Sequence, residues 1–382
     1  MSGLEEASVA AMASFPGIGP GALLALLHNR TPLEAWALLA RSGNGHVGLE
    51  GAKGWHKHLS AWSRLARRSD LALVQRRLVH LGVRCTWLGA ADYPSVLAGD
   101  PQPPPALFWR GDLGLLSAQC VALVGTRRPT PSGLSAAFEL GRDLAACGVV
   151  VVSGLAVGID GAAHRGALAG AGGATVGVAA SGLDLPYPKR HAGLWEEVGR
   201  RGVLISEAAP GTPAQAWRFP VRNRIIAALS QILVVVESHA KGGSLLSVEA
   251  ALARGRDVRA VPGPVQSPAS AGTNALIYDG AGIVRHAGDI LDALGRLEAR
   301  PSPDPEKARG HRALSTGGQR PEVAGLSPRA RRVLAAMGYR PQSLNQVVCR
   351  AGLGVDQVVV ALEELLGAGW VDLEAGWWTR LR

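Results

Sequence analysis

Val121-Ala122-Leu123-Val124-Gly125-Thr126-Arg127-Arg128 is an apolar run that ends in a small, basic turn and leads into a helix near Ser132. The same grammar repeats to about Ala287. Strand-like runs fall at Val121–Val124, Val149–Val152, Ala174–Ala179, Val203–Ile205, Ile232–Val236, Val258–Val261 and Ile283–Val284. Helix-like segments lie between them at Ser132–Cys147, Asp160–Ala169, Pro188–Arg200, Val221–Leu229 and Leu245–Arg254. Continuous apolar strands that alternate with helices predict an α/β fold with a parallel sheet covered on both faces. Ligands of such sheets bind at the carboxyl ends of the strands. The turns expected there carry Gly, Ser, Thr and Arg.

Outward from this stretch the grammar changes. Residues 1–75 read as helical. Phe15-Pro16-Gly17-Ile18-Gly19-Pro20-Gly21 before Ala22–Leu27 resembles the turn of a helix-hairpin-helix, whose glycine amides hold a DNA phosphate. A plain packing turn is the preferred reading. Arg64, Arg67, Arg68, Arg76 and Arg77 make a basic face, which is more often solvated surface than a nucleic-acid contact. Residues 76–296 hold the sheet, preceded by strands at Val83–Leu88 and Ala106–Arg110. Residues 297–325, rich in Pro, Gly and mixed charge, read as a linker. In 326–382, Ser327 and Ser343 are potential caps of two short helices, and Val355–Leu366 is a third. Val371–Leu373 and Trp377–Leu381 flank a Glu374-Ala375-Gly376 turn. Three short helices and a hairpin describe a winged helix. Its third helix carries Asp356, Glu363 and Glu364 and no Lys or Arg, unlike a helix that reads a major groove. A protein-contact or regulatory role fits it better, with Trp370, Trp377 and Trp378 packing its small core.

The 382 residues carry a net charge of +10, which points to a polyanionic partner. Of the 40 basic residues, 35 are Arg. A GC-rich genome accounts for Arg over Lys but not for the excess over Asp and Glu. A hydrophobic fraction of 47% excludes a disordered chain. Cys85, Cys120, Cys147 and Cys349 form no CxxC pair and have no His cluster beside them, so no metal site is expected. Cys120 and Cys147 are expected in the core. No secretory signal or spanning apolar run is visible, so a cytoplasmic, reduced protein is expected.

The turns define the expected site. Gly125, Thr126, Arg127 and Arg128 lack the GxGxxG and Walker patterns, yet offer backbone amides and an arginine to one phosphate. Asp160 and His164, four apart, are either an acid–base pair or, as is preferred, a helix cap and a surface histidine. Arg222, Asn223 and Arg224 open a helix after Phe219-Pro220. One arginine is expected to face the strand ends while the other pairs with acidic neighbours, and a purely structural ion-pair network is the alternative. Lys241, Gly242, Gly243 and Ser244 follow the strongest strand and suit a phosphate.

These motifs identify a family. The chain resembles DNA-processing protein A (DprA, also called Smf) over almost its whole length. The resemblance rests on Val-Gly-Thr-Arg at 124–127, Ser-Gly-Leu-Ala-Val-Gly-Ile-Asp at 153–160, Gly-Leu-Asp-Leu-Pro-Tyr-Pro-Lys at 182–189 and Ser-Glu at 206–207. It continues through Phe-Pro-Val-Arg-Asn-Arg-Ile-Ile at 219–226, Lys-Gly-Gly-Ser-Leu-Leu at 241–246 and Val-Pro-Gly at 261–263. It implies an N-terminal sterile-alpha-motif-like (SAM-like) helical domain, an extended Rossmann-like domain and a C-terminal winged helix. The implied function is a non-catalytic, cofactor-free single-stranded DNA binder in natural transformation, which protects incoming strands and loads the RecA recombinase. Single-strand-binding protein is a further candidate partner. Arg127 and Lys189 match the family's phosphate contacts; with Arg222, Arg224 and Lys241 they are expected to hold the phosphate backbone, and Arg128 and Arg218 are weaker candidates. The family's dimer contact falls on Leu276, Ile277 and Ile283. Thr126 stands where Ser is common, His191 where Asn is usual, and Gly242 where a further Ser is usual.

The rival reading is a nucleotide phosphoribohydrolase-like enzyme on the same kind of sheet. Gly242, Gly243 and Glu249 echo its Gly-rich loop loosely, without the Gly-Thr pair.

Overall fold

The computed structural model describes residues 3–41, 56–170, 172–295, 326–337, 344–374 and 377–380. The linker expected at 297–325, the Ser343 cap and the Ala375-Gly376 turn lie outside them. So does the Trp377 side chain.

Five helices come first: α1 (Gly3–Ala13), α2 (Pro20–Leu27), α3 (Pro32–Arg41), α4 (His56–Arg68) and α5 (Leu71–His80). They pack around Val9, Met12, Leu26, Leu39 and Trp62, and the same apolar cluster continues into Cys85 and Phe108 of the sheet. The Trp62 indole donates to Pro16 O at 2.9 Å and fixes the turn between α1 and α2. Residue 75 falls inside α5. It marks a change of element type and not a break between cores.

The sheet starts with β1 (Arg84–Trp87), a short α6 (Ser95–Ala98) and β2 (Ala106–Gly111). There follow β3 (Cys120–Gly125), α7 (Pro131–Ala146), β4 (Val150–Ser153), α8 (Ile159–Ala169), β5 (Thr175–Ala179), α9 (Ala192–Arg201) and β6 (Val203–Ser206). Then come α10 (Arg218–Leu229), β7 (Ile232–Glu237), α11 (Leu245–Leu252), β8 (Asp257–Ala260), α12 (Ala271–Tyr278), β9 (Gly282–Ile283) and α13 (Ala287–Ala293). The order across the sheet is β1-β2-β6-β5-β4-β3-β7-β8-β9. From β6 to β9 every neighbouring pair is parallel, and β2 joins β6 antiparallel. The fold is therefore an α/β doubly wound, Rossmann-like sheet with an antiparallel extension.

Alternate residues of each strand enter opposite cores. Ala122, Val124, Val152, Val178 and Val235 pack with Ile225, Ile226 and Val248 from α10 and α11. Val121, Leu123, Val151 and Val234 pack with Leu140, Leu144 and Ala163 from α7 and α8. Burial of each such side chain contributes roughly 1.5–3 kcal/mol. Two expectations are corrected. α10 begins at Arg218 rather than Val221, because Pro220 in the first turn removes an amide that has no helical partner there. Cys147 is half-buried at the end of α7, whereas Cys85 and Cys120 are in the core.

The described residues from 326 onward form a second compact unit. It comprises α14 (Pro328–Ala336), α15 (Leu344–Ala351), α16 (Val355–Gly367) and the hairpin β10 (Val371–Glu374) with β11 (Trp377–Arg380). Ser327 caps α14, and Glu364 of α16 accepts from the Ser327 amide at 2.6 Å and hydroxyl at 2.7 Å. Trp370 and Trp378 pack on its core. Among the described residues no helix is long and apolar enough to cross a membrane, and no three His, Cys, Asp or Glu side chains are grouped to hold a metal ion.

Candidate nucleic-acid interface

The strand order reverses at β3, which has β4 on one side and β7 on the other. In doubly wound sheets that reversal opens a crevice at the carboxyl ends. A groove of about 750 Å³ lies there. Gly125, Thr126, Arg127 and Arg128 from the β3 turn line it, as do Arg222 and Asn223 from α10. Lys241, Gly242, Gly243 and Ser244 close the far side. Motifs more than 100 residues apart thus meet in one place.

Two glycines permit the close approach of these loops. A Cβ on Gly158, whose φ is +84°, would strike Thr126 O and the Arg127 backbone. A Cβ on Gly154 would strike the Arg222 guanidinium. Both are sites where only glycine brings backbone or charge this near.

The β3 turn is held from below by Glu237 at the end of β7. Its carbonyl accepts from the Thr126 amide at 2.8 Å, and its carboxylate accepts from the Thr130 amide at 2.8 Å and hydroxyl at 2.7 Å. Thr130 in turn caps α7. A carboxylate therefore already occupies the α7 N-terminus. Of the amides at 125–128, that of Thr126 donates to Glu237 O and that of Arg128 to the Thr126 hydroxyl, so the turn has fewer free amides for an anion than its sequence implies. At α11 the Gly243 and Ser244 amides have no protein partner among the described residues, and Gly243 faces open space.

Arg127 and Arg128 are exposed. The Arg127 guanidinium lies 4.8 Å from the centroid of Phe219, which lies 5.5 Å from the ring of Tyr187. Tyr187 is 49% exposed. An arginine over one aromatic ring, with a second ring beside that one, offers both a charge and flat faces at the mouth of the groove. These rings were not expected from the sequence as contacts. A tyrosine between two prolines in an exposed loop was the available signal.

The two arginines of α10 have different places. Arg222 is buried, and its guanidinium donates to Gly154 O at 2.6 Å and to Val178 O, both at strand ends. Asp160 is nearby, its carboxyl pushed up by burial and drawn down by the charges of Arg222 and Arg127. Burial pulls Arg222 down to about 10, still protonated at neutral pH. Arg224 pairs with Glu207 at 2.6 Å and donates to Gln102 O. The residue-level reading of one arginine at the strand ends and one on an acid describes this arrangement. Neither arginine is a wholly free phosphate contact: two N–H groups of each are engaged within the protein.

Lys189 is exposed but does not line the groove. Arg218 lies on the other flank of α10 with its guanidinium 4.4 Å from the Trp217 ring centroid. His191 turns inward, its Nδ1 3.0 Å from Leu155 O. His164 is corrected from a surface residue: it is fully buried, with Nδ1 2.8 Å from the Thr175 hydroxyl. Glu249 is exposed on α11 and does not line the groove. Of the expected dimer contacts, Ile283 is exposed on edge strand β9, Ile277 is half-buried, and Leu276 packs against the core.

The sequence matches the family model for DNA recombination-mediator protein A over residues 84–295 and that for the DprA winged helix domain over 318–376. It is 39% identical to DNA processing protein DprA of Bacillus subtilis over 56% of this chain and 72% of that protein. It is 31% identical to protein Smf of Synechocystis over 98% of each. The fold matches the X-ray structure of DprA from Streptococcus pneumoniae with a TM-score of 0.64 at 30% identity, covering 76% of this chain and 98% of that one. It also matches DNA processing protein A from Helicobacter pylori, described for its single-stranded DNA binding mode, with a TM-score of 0.50 at 30% identity over 56% and 96% of the two chains. With the ordered motifs gathered at one groove and both family models matched, the chain belongs to the DprA/Smf family of DNA-processing proteins.

Proposed function

We propose that this protein holds single-stranded DNA in the groove at the β3–β7 crevice and passes it to a RecA-type recombinase during natural transformation, without itself cutting or joining the strand. The observation that carries the reading is Arg127: exposed, without an ion pair among the described residues, and stacked over Phe219 beside Tyr187. Charges that track a backbone, set beside rings that take unstacked bases, suit a single strand better than a duplex. Lys241 and Arg128 add charge on either side, Asn223 adds an amide, and the free Gly243 and Ser244 amides add donors. The single-stranded DNA binding described for the H. pylori relative supports the same ligand here. Holding is favoured over hydrolysis because Asp160 is buried under the Gly154 and Ala156 amides, and His164 is engaged with Thr175. Family membership supports RecA and single-strand-binding protein as partners, a cytoplasmic site of action, and a homodimer through the β9 edge, where Tyr278 is 92% exposed beside Ile283.

The test is binding of labelled oligo-dT and a matched duplex across a salt series, by wild type and Arg127→Ala. Wild type is expected to prefer the single strand. Arg127→Ala should bind about tenfold more weakly, with the slope of log affinity on log salt shallower by about 0.7, and with an unchanged Tm. Equal or tighter duplex binding that ignores Arg127→Ala would move the DNA site to another domain.

A further inference from the structure

A second cavity, of about 230 Å³, lies on the opposite flank of α10, and Arg222 alone is common to its wall and that of the groove. It sits at the carboxyl ends of β5 and β6, with Ala179, Ala180 and Ala209 in its wall. The α1–α2 turn contributes Ile18 and α2 contributes Leu23, while Val221 comes from α10 and Trp217 from its N-cap. Its walls are thus largely apolar, yet three buried polar atoms of lining residues have no hydrogen-bond partner among the described residues: Glu207 Oε1, Arg218 Nε and Arg222 Nε. The other oxygen of Glu207 is held by Arg224 at 2.6 Å, which fixes the carboxylate in place. Trp217 is 57% exposed and stacked with Arg218.

Buried polar groups are normally paired, and three orphans around one cavity call for a ligand that supplies the missing partners. The cavity is smaller than the roughly 300 Å³ at which drug-sized sites begin, so it suits one ring system rather than a whole nucleotide. An acceptor and two N–H donors among apolar walls complement a flat ring whose edge carries both N–H groups and acceptors. We infer that this cavity takes a single nucleobase, its N–H on Glu207 Oε1 and its acceptors toward the two arginine Nε–H groups. The base comes either from the strand bound in the adjacent groove, which rests on the function proposed above, or from a free nucleoside.

The cavity-filling variant Ala180→Leu tests this, with Ile18→Trp at the rim as a second variant should the first fail to fold. Full-length proteins are titrated with mixed-base single-stranded DNA and with an abasic phosphodiester strand of equal length, and their Tm is read with added deoxyadenosine or deoxycytidine. A base drawn from the strand predicts that filling weakens the mixed-base strand about tenfold, the loss of about one base contact, and leaves the abasic strand unchanged. A free nucleoside predicts that deoxynucleosides raise the Tm of wild type but not of the filled variants. If filling changes neither strand binding nor the nucleoside effect, the cavity holds only water and the inference is overturned. Loss of abasic-strand binding in Arg127→Ala reads the main groove separately, and the nucleoside arm needs no strand, so failure of either reading is seen apart from the other.

Discussion

At the scale of single residues, position along α10 decides what an arginine does. Arg222 offers its donors to two strand-end carbonyls and balances buried Asp160. Arg222→Ala should therefore destabilise the protein by roughly 3 kcal/mol or more, read as a lower denaturation midpoint. Tyr187 has the opposite profile. Tyr187→Ala should weaken oligo-dT binding by about 1–3 kcal/mol with no change in salt slope, since a ring releases no counterions, and with Tm unchanged. A titration that instead shows a shallower slope would make Tyr187 a support for a cation and not a base platform. Sequence reading separated Arg222 from Arg224 because residues two apart on a helix point differently. It did not show that Arg222 would meet Gly154 and Val178, since those contacts arise only when β4 and β5 lie side by side with α10 packed against their ends.

At the scale of elements, the alternation of apolar strands and helices was legible, and with it every parallel strand, because burial on both faces leaves continuous Val and Ile runs. Helix starts were less legible. Pro220 reads as a stop but sits inside the first turn of α10, and the α7 N-terminus reads as an anion seat but already holds the Glu237 carboxylate. That carboxylate joins β7 to the β3 turn. Glu237→Ala would leave the Thr130 amide unpaired and the turn untied, and should cost about 2 kcal/mol of stability. It should also weaken oligo-dT binding through the loosened Arg127 turn, although Glu237 bears the same charge as DNA. Tighter binding in this variant would mean that removal of a negative charge outweighs the loss of support.

At the scale of the whole molecule, buried imidazoles add to the acid sensitivity of the fold. Burial pushes His164 down to about 3 and also lowers His191. The unfolded chain takes up these protons below the usual histidine value near 6.5, whereas the folded chain does not. Stability from His164 is therefore full above pH 6.5 and is lost as pH falls from there toward 3. Asp160, raised by burial, has the opposite sign, so the clean comparison is wild type against His164→Gln. Between pH 6.5 and 4 the Tm of wild type should fall more steeply than that of the variant, and parallel curves would show that the imidazole is not held neutral. The join between the N-terminal helices and the sheet was illegible for a simple reason. Their shared core brings Leu26 and Trp62 into one cluster with Phe108, contacts that no local pattern encodes.

The same join has a consequence for assembly. Glu6 of α1 accepts the Cys85 amide at 3.2 Å and holds Arg84 at 2.7 Å, so strand β1 has a carboxylate where an incoming strand would dock. The opposite border of the sheet, at β9, is two residues long and carries exposed Ile283. A sheet blocked at one border and open at the other cannot be extended end over end. In the proposed homodimer, copies meeting through the β9 borders would close into pairs, and head-to-tail growth into a fibre would have no second border on which to proceed.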